Sequence, residues 1–321
     1  MRIQKSFSSC IGWLVIMCAL GLTVYGQERE EVRRTFSLNP GATVSLANIS
    51  GNIRITSWEG AQVEMVAIKT GPADQVKDVD ISIDAKPSRL SIETEYPKKR
   101  NNNVSVSYDL KVPRNVSLDG IGSVSGSIEM MDIDGRVVGR SVSGNVEAQR
   151  IGMDASLDSV SGNVKASDVA GRVSASSVSG TAEASNVKGD LDAKSVSGNV
   201  QITRAGGYIK VESVSGNITI GDSSPANLKA STVSGGIQFD GRLNSNGRYE
   251  LKSHSGKVTA ILPADSGFTL EASTFSGSLK SDFEIKVREI NGTKTISGVV
   301  SSGGPTLAVS SFSGTVSIRR K

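Results

Sequence analysis

"SVSGNV" occupies residues 195–200, and the same six residues occupy 141–146 and 159–164; "SVSGNI" follows at 213–218. The phrase holds no acid, base, thiol or ring. Its recurrence decides the fold, because self-similarity at a fixed period is the mark of stacked repeat architectures. Aligned on the Gly of the Ser-Gly pair, copies fall at Gly51, Gly126, Gly144, Gly162, Gly180, Gly198, Gly216, Gly235, Gly256, Gly277 and Gly314. From Gly126 to Gly216 the interval never changes, and the next three are slightly longer. "TISG" at Gly298 is a weaker copy.

Apolar residues repeat with the glycine. Leu191 and Ala193 share one alternation phase, Val200 and Ile202 the opposite one, and Ile209 and Val211 return to the first. Side chains alternate faces along a strand, so each change of phase marks a bend. The bends fall at 195–198 and 204–207. One unit is therefore two short strands and two corners, a single coil of an all-β, parallel β-solenoid. The repeated glycines supply a backbone angle or a close approach that a side chain would hinder. Ser and Asn beside them can bond to their copies one coil away. A lone coil buries too few small apolar groups to offset the ordering of its backbone, so coils require neighbours. "VSLANISGNIRI", residues 44–55, fits the same slots.

The flanks set compartment and class. Arg2 and Lys5 precede an apolar run over 11–22, and Val24-Tyr25-Gly26 offers a cut before Gln27. This predicts a signal peptide, residues 1–26, whose apolar core is too short to span a bilayer. Cys18 follows Met17, not the small residue that lipid attachment needs. Both cysteines, Cys10 and Cys18, would leave with the signal, so disulfides, a thiolate nucleophile and Cys-ligated metals are excluded from the exported chain. That chain carries 34 basic and 32 acidic residues, a balance that predicts no general attraction to nucleic acid or an anionic membrane. No later stretch is apolar enough to cross a bilayer. Residues 27–118 alternate as less regular strands, either longer coils or a cap. Residues 119–321 form the regular solenoid, with the C-terminal "GTVSIRRK" as the strand that caps it, its charges discouraging end-to-end stacking.

The "SVSG" rungs, the strand end "DLKVP" at 109–113 and the closing "SFSGTVSIRRK" resemble the bacterial putative-adhesin family of exported β-solenoid domains. The resemblance covers nearly all of the chain after the signal. It implies a parallel solenoid in the cell envelope and brings no catalytic motif.

The chemistry-bearing residues are sparse. His254, the sole histidine, stands in "SHSG" where sister coils carry Val or Phe, and without Cys or a second His it anchors no metal cluster. The corners lack the carboxylates of a calcium β-roll. Outward columns such as Glu147, Lys165 and Glu183, or Asp192, Lys210, Lys229 and Glu250, read as solubilising cross-coil charges or as the acids and bases of a site. Lys98, Lys99 and Arg100 are the densest internal basic cluster, a candidate surface contact. Trp58 and Tyr208 are candidate sugar platforms, with packing the plainer role. These residues predict a non-enzymatic exported envelope protein, periplasmic or secreted, presenting a structural or interaction surface. It needs no cofactor and no metal, and its partner is an unidentified protein or glycan. The alternative is a carbohydrate-active solenoid, a lyase or glycosidase, which two carboxylates and a base lining a groove on adjacent coils would favour.

Overall fold

The computed structural model describes residues 27–97, 102–285, 287–290 and 293–321. The expected signal peptide and Lys98, Lys99 and Arg100 lie outside them. The chain is a parallel β-solenoid built from a 14-stranded and a 15-stranded sheet. In one coil, Leu191–Ser195 runs in the larger sheet, turns through the SVSG corner, and Val200–Ala205 returns in the smaller. Leu191 pairs with Ile209 and Ala182 with Val200, each partner one repeat further along the chain. One coil per repeat is thus the observed register.

The corner glycines are required by close approach. A Cβ on Gly162 would lie 2.1 Å from the carbonyl oxygen of Gly144, and on Gly144 it would lie 2.0 Å from that of Gly126. Serine stitches the same corner: Ser159 Oγ donates to Gly144 O at 2.9 Å and accepts from Gly162 N–H at 2.9 Å. Asn145 Oδ1 accepts from Asn163 N–H, and Asn163 Oδ1 from Thr181 N–H, both at 2.9 Å. The inert phrase is a set of interlocking bonds between coils. Gly162→Ala should therefore cost about 3 kcal/mol or more through overpacking, read as a lowered urea midpoint. Gly206→Ala, whose Cβ meets nothing within 4 Å, is the matched control and should change little.

A further inward position escapes alternation alone. Ile133, Ile151, Val169, Val187 and Ala205 are buried, seven positions after each glycine. They turn inward because the residue before each lies in the left-handed region: Asp132, Arg150, Asp168, Asn186 and Arg204, with φ between 53° and 62°. Such a conformation costs a residue with a Cβ roughly 1–2 kcal/mol. The five residues stack outside the coils, where Arg150 bonds Asp132 at 2.6 and 2.8 Å and Asn186 bonds Asp168 at 2.7 Å. The Arg150 guanidinium holds the Asp132 carboxyl below its ordinary range.

Neither end is threaded in chain order. At the C-terminal end, Thr306–Ser313 lies between Arg248–Ser255 and Phe268–Ser276, and Val316–Arg320 lies between Val258–Leu262 and Leu279–Ser281. The expected C-terminal cap strand is therefore corrected: it is an interior strand of an intercalated coil. Its inward residues Val316 and Ile318 are fully apolar and need neighbours on both sides. Its charges are held locally, with Lys321 on Asp240 at 2.7 Å and Arg320 over the Phe283 ring at 4.8 Å. The outermost strands there are antiparallel, Thr293–Val300 and Val287–Ile290.

At the other end, the coil of Thr43–Ser50 and Ile53–Trp58 is covered by Arg89–Glu95 and Ser105–Pro113, and antiparallel strands close both sheets. Under this cover Asn48 replaces the corner serine. It donates to Val106 O at 2.8 Å and accepts from Thr94, and the Tyr108 hydroxyl donates to Thr94 at 2.7 Å. Burial pushes the Tyr108 phenol up from 10.0 to about 12. Its neutral form thus contributes stability that is complete below the ordinary phenol range and is lost as pH rises towards about 12. Melting curves across alkaline pH should show that loss, and Tyr108→Phe should reduce it.

Candidate functional site

The residue two before each corner glycine points out of the solenoid, because the small polar residue before it points in. Along the axis the series runs Ile49, Val124, Val142, Val160, Val178, Val196, Val214, Val233, His254, Phe312 and Phe275. The valines are 42–52% exposed, Phe312 50% and Phe275 54%. Ten of the thirteen exposed large apolar side chains among the described residues fall at this one position, so exposure belongs to the position. The next residue is serine in every copy, and the corners carry no ionisable side chain except His254 and Lys257. Eleven rungs at strand spacing make a strip roughly 48 Å long, apolar in ten rungs and interrupted by His254. At its aromatic end the rings stack: His254 on Phe312 at 5.0 Å, and Phe312 on Phe275 at 5.1 Å.

A family model described as Toastrack DUF4097 matches residues 41–319, nearly the whole solenoid. The chain belongs to the Toastrack DUF4097 family. This agrees with the putative-adhesin solenoid resemblance carried by the SVSG rungs. No curated protein matches the sequence. Similar solved structures include a putative adhesin from Bacteroides fragilis, 13% identical over 90% of this chain and 97% of that one, TM-score 0.33. A putative lipid binding protein from Parabacteroides distasonis is 12% identical over 91% and 96%, TM-score 0.34. A putative cell adhesion protein from Clostridium sporogenes is 13% identical over 92% and 100%, TM-score 0.24.

Beside the aromatic rungs, the Toastrack chain is hollowed where the intercalated coil turns small residues outward. Ala308 lies in one row between Glu250 and Glu271, and Ser310 in the next between Lys252 and Ser273. Two adjoining hollows result, of about 630 and 500 Å³, sharing Lys252, Ser273 and Ser310. Glu250 was legible as one of a charged column. Its position opposite Glu271 was not, because threading out of chain order creates it.

The other sequence candidates are dispersed. The expected cross-coil pairs form on the faces, with Lys165 on Glu147 at 3.1 Å. Lys210 pairs along its own strand with Glu212, also at 3.1 Å. Both pairs are exposed enough to contribute little. Trp58 donates its indole N–H to Gln62 O at 2.8 Å beneath Lys111, and Tyr208 is exposed at the opposite corner. No helix among the described residues is long and apolar enough to cross a membrane.

Proposed function

We propose that this Toastrack protein is a non-enzymatic, exported envelope protein whose solenoid presents an interaction surface. The observation that supports this most is the corner strip. A soluble surface scatters its exposed apolar residues, and a contiguous row of them marks a contact face. A large apolar side chain recurs in ten of eleven corners at outward-facing positions, where it is not needed to fill the interior of the coil. The test is capture from envelope fractions, run beside a glycan array, with wild type and a Val160→Ser, Val178→Ser, Val196→Ser variant. Retention by the wild type and loss by the variant is expected; equal capture would remove the strip from the function. N-terminal sequencing of envelope material should begin at Gln27.

A second reading, a carbohydrate-active solenoid, draws on the hollow. Glu250 and Glu271 face each other across Ala308, two strand spacings or roughly 9.6 Å apart at the backbone. Side chains of that length reach the ~6.5–9.5 Å separation at which one carboxyl protonates a leaving group and another activates water. Lys252 lines the same wall, its ammonium 4.0 Å from the Glu250 carboxylate. Release of sugar from a captured glycan, abolished by Glu271→Gln, would decide for this reading.

A further inference from the structure

We infer that the corner strip is the contact face of an antiparallel homodimer of this chain, with its two-fold axis at Val196. The inference rests on the strip being an interaction surface and names its partner. An occupant must be long, apolar and uncharged, and must repeat at the strand spacing. The strip itself meets all four conditions, since a copy turned end for end sets its rungs against those of the first. Each rung offers on the order of 70 Å² of apolar side chain, and eleven rungs on the order of 750 Å², close to the roughly 800 Å² per partner of a standard interface.

Net charge favours one direction. Val196 is the sixth of the eleven rungs. Residues 27–196 carry 20 basic and 23 acidic residues, whereas 197–321 carry 14 and 9. An antiparallel pair lays the acidic half of each copy against the basic half of the other; a parallel pair lays like on like. Size points the same way. End for end, Phe275 meets Ile49, Phe312 meets Val124 and His254 meets Val142, so each ring faces a branched aliphatic. A two-fold contact of this kind closes at two copies and builds no filament. A glycan is the poorer occupant, because Phe312 has both ring faces covered by its neighbours at 5.0 and 5.1 Å and presents its edge.

The chain from Gln27 has no cysteine, so introduced thiols report cleanly. Sedimentation equilibrium of that chain at micromolar concentration should give two copies. Val178→Lys with Val214→Lys should weaken association by about 100-fold or more, with unchanged circular dichroism, because like charges then meet in an apolar contact. Val196→Cys alone should form a disulfide dimer, whereas Ile49→Cys and Phe275→Cys should link only when mixed. Self-linking of Phe275→Cys, or a wild type that stays monomeric at the highest concentration, would overturn the dimer. A monomeric wild type whose Val→Ser strip variant still loses envelope capture sinks the second copy as partner and leaves the interaction surface standing; undiminished capture sinks both.

Discussion

Deletion of residues 306–321 is expected to abolish the folded protein. In a solenoid threaded in chain order, so late a segment would form an outermost coil with a neighbour on one side only. Here it is an interior coil. Leu307, Val309, Val316 and Ile318 are buried between the coils of Arg248–Leu262 and Phe268–Ser281. Their burial contributes on the order of 6–12 kcal/mol, which is comparable to the whole stability of a typical domain, about 5–15 kcal/mol. The deletion also uncovers two strand edges in each sheet at once. Removing Gln27–Ser37, the outermost strand of the smaller sheet, takes away a single antiparallel partner and should cost much less. Proteolysis of the two truncated proteins compares them directly. Equal resistance would contradict an interior position for the C-terminal coil.

The second large effect separates whole coils from half coils. Deleting residues 181–198 joins Gly180 to Asn199, keeps corner, serine stitch and left-handed residue in register, and should leave a folded solenoid shorter by about 4.8 Å. Deleting residues 181–189 should fail, although the alternation survives it. Leu191 and Ala193 then fall two and four positions after Gly180, where Ala182 and Ala184 stood, so the apolar pattern alone would permit the join. The corners forbid it. Arg204 and Asp222 move into the slot of the buried corner serines, where Ser195 and Ser213 are 4% and 5% exposed. Charged side chains there displace the bond to the preceding glycine carbonyl and are buried without room, a severe mechanism of destabilisation. Circular dichroism and protease resistance read the outcome. Collapse of both deletions would refute one coil per repeat, and survival of both would refute the serine stitch.

Both expectations turn on features of different legibility. The period, the two strands and two corners per coil, the apolar phase and the Ser and Asn ladders were all present in the sequence, because a solenoid's contacts are between copies. What a residue meets in space is its equivalent one repeat away, so sequence periodicity and spatial contact coincide. The same logic placed Glu147 beside Lys165 from spacing alone. It stops short at the sixth position after each glycine. Arg150 and Arg204 are poor candidates for a left-handed backbone by residue type; the conformation accompanies the burial of Ile151 and Ala205 and the bonds each arginine makes one coil away.

The sequence by itself determined the solenoid, its period and its inert corners, because those follow from local alternation and identity between neighbours. Three things were decided only by tertiary structure. The outward turn of Val142 and its ten counterparts depends on the small polar residue before each one facing in, so an apolar letter in a corner does not reveal whether it is core or surface. The pairing of Thr306–Ser313 with Arg248–Ser255 and Phe268–Ser276, both well before it in the chain, joins segments that are not neighbours in the repeat order, so no local pattern records it. The hollow between Glu250 and Glu271 follows from that insertion, since Ala308 is small and the carboxylates on either side come from coils that are separated in space by a later one. Repeats encode contacts between neighbours in sequence; where the neighbours in space are different ones, only the fold records them.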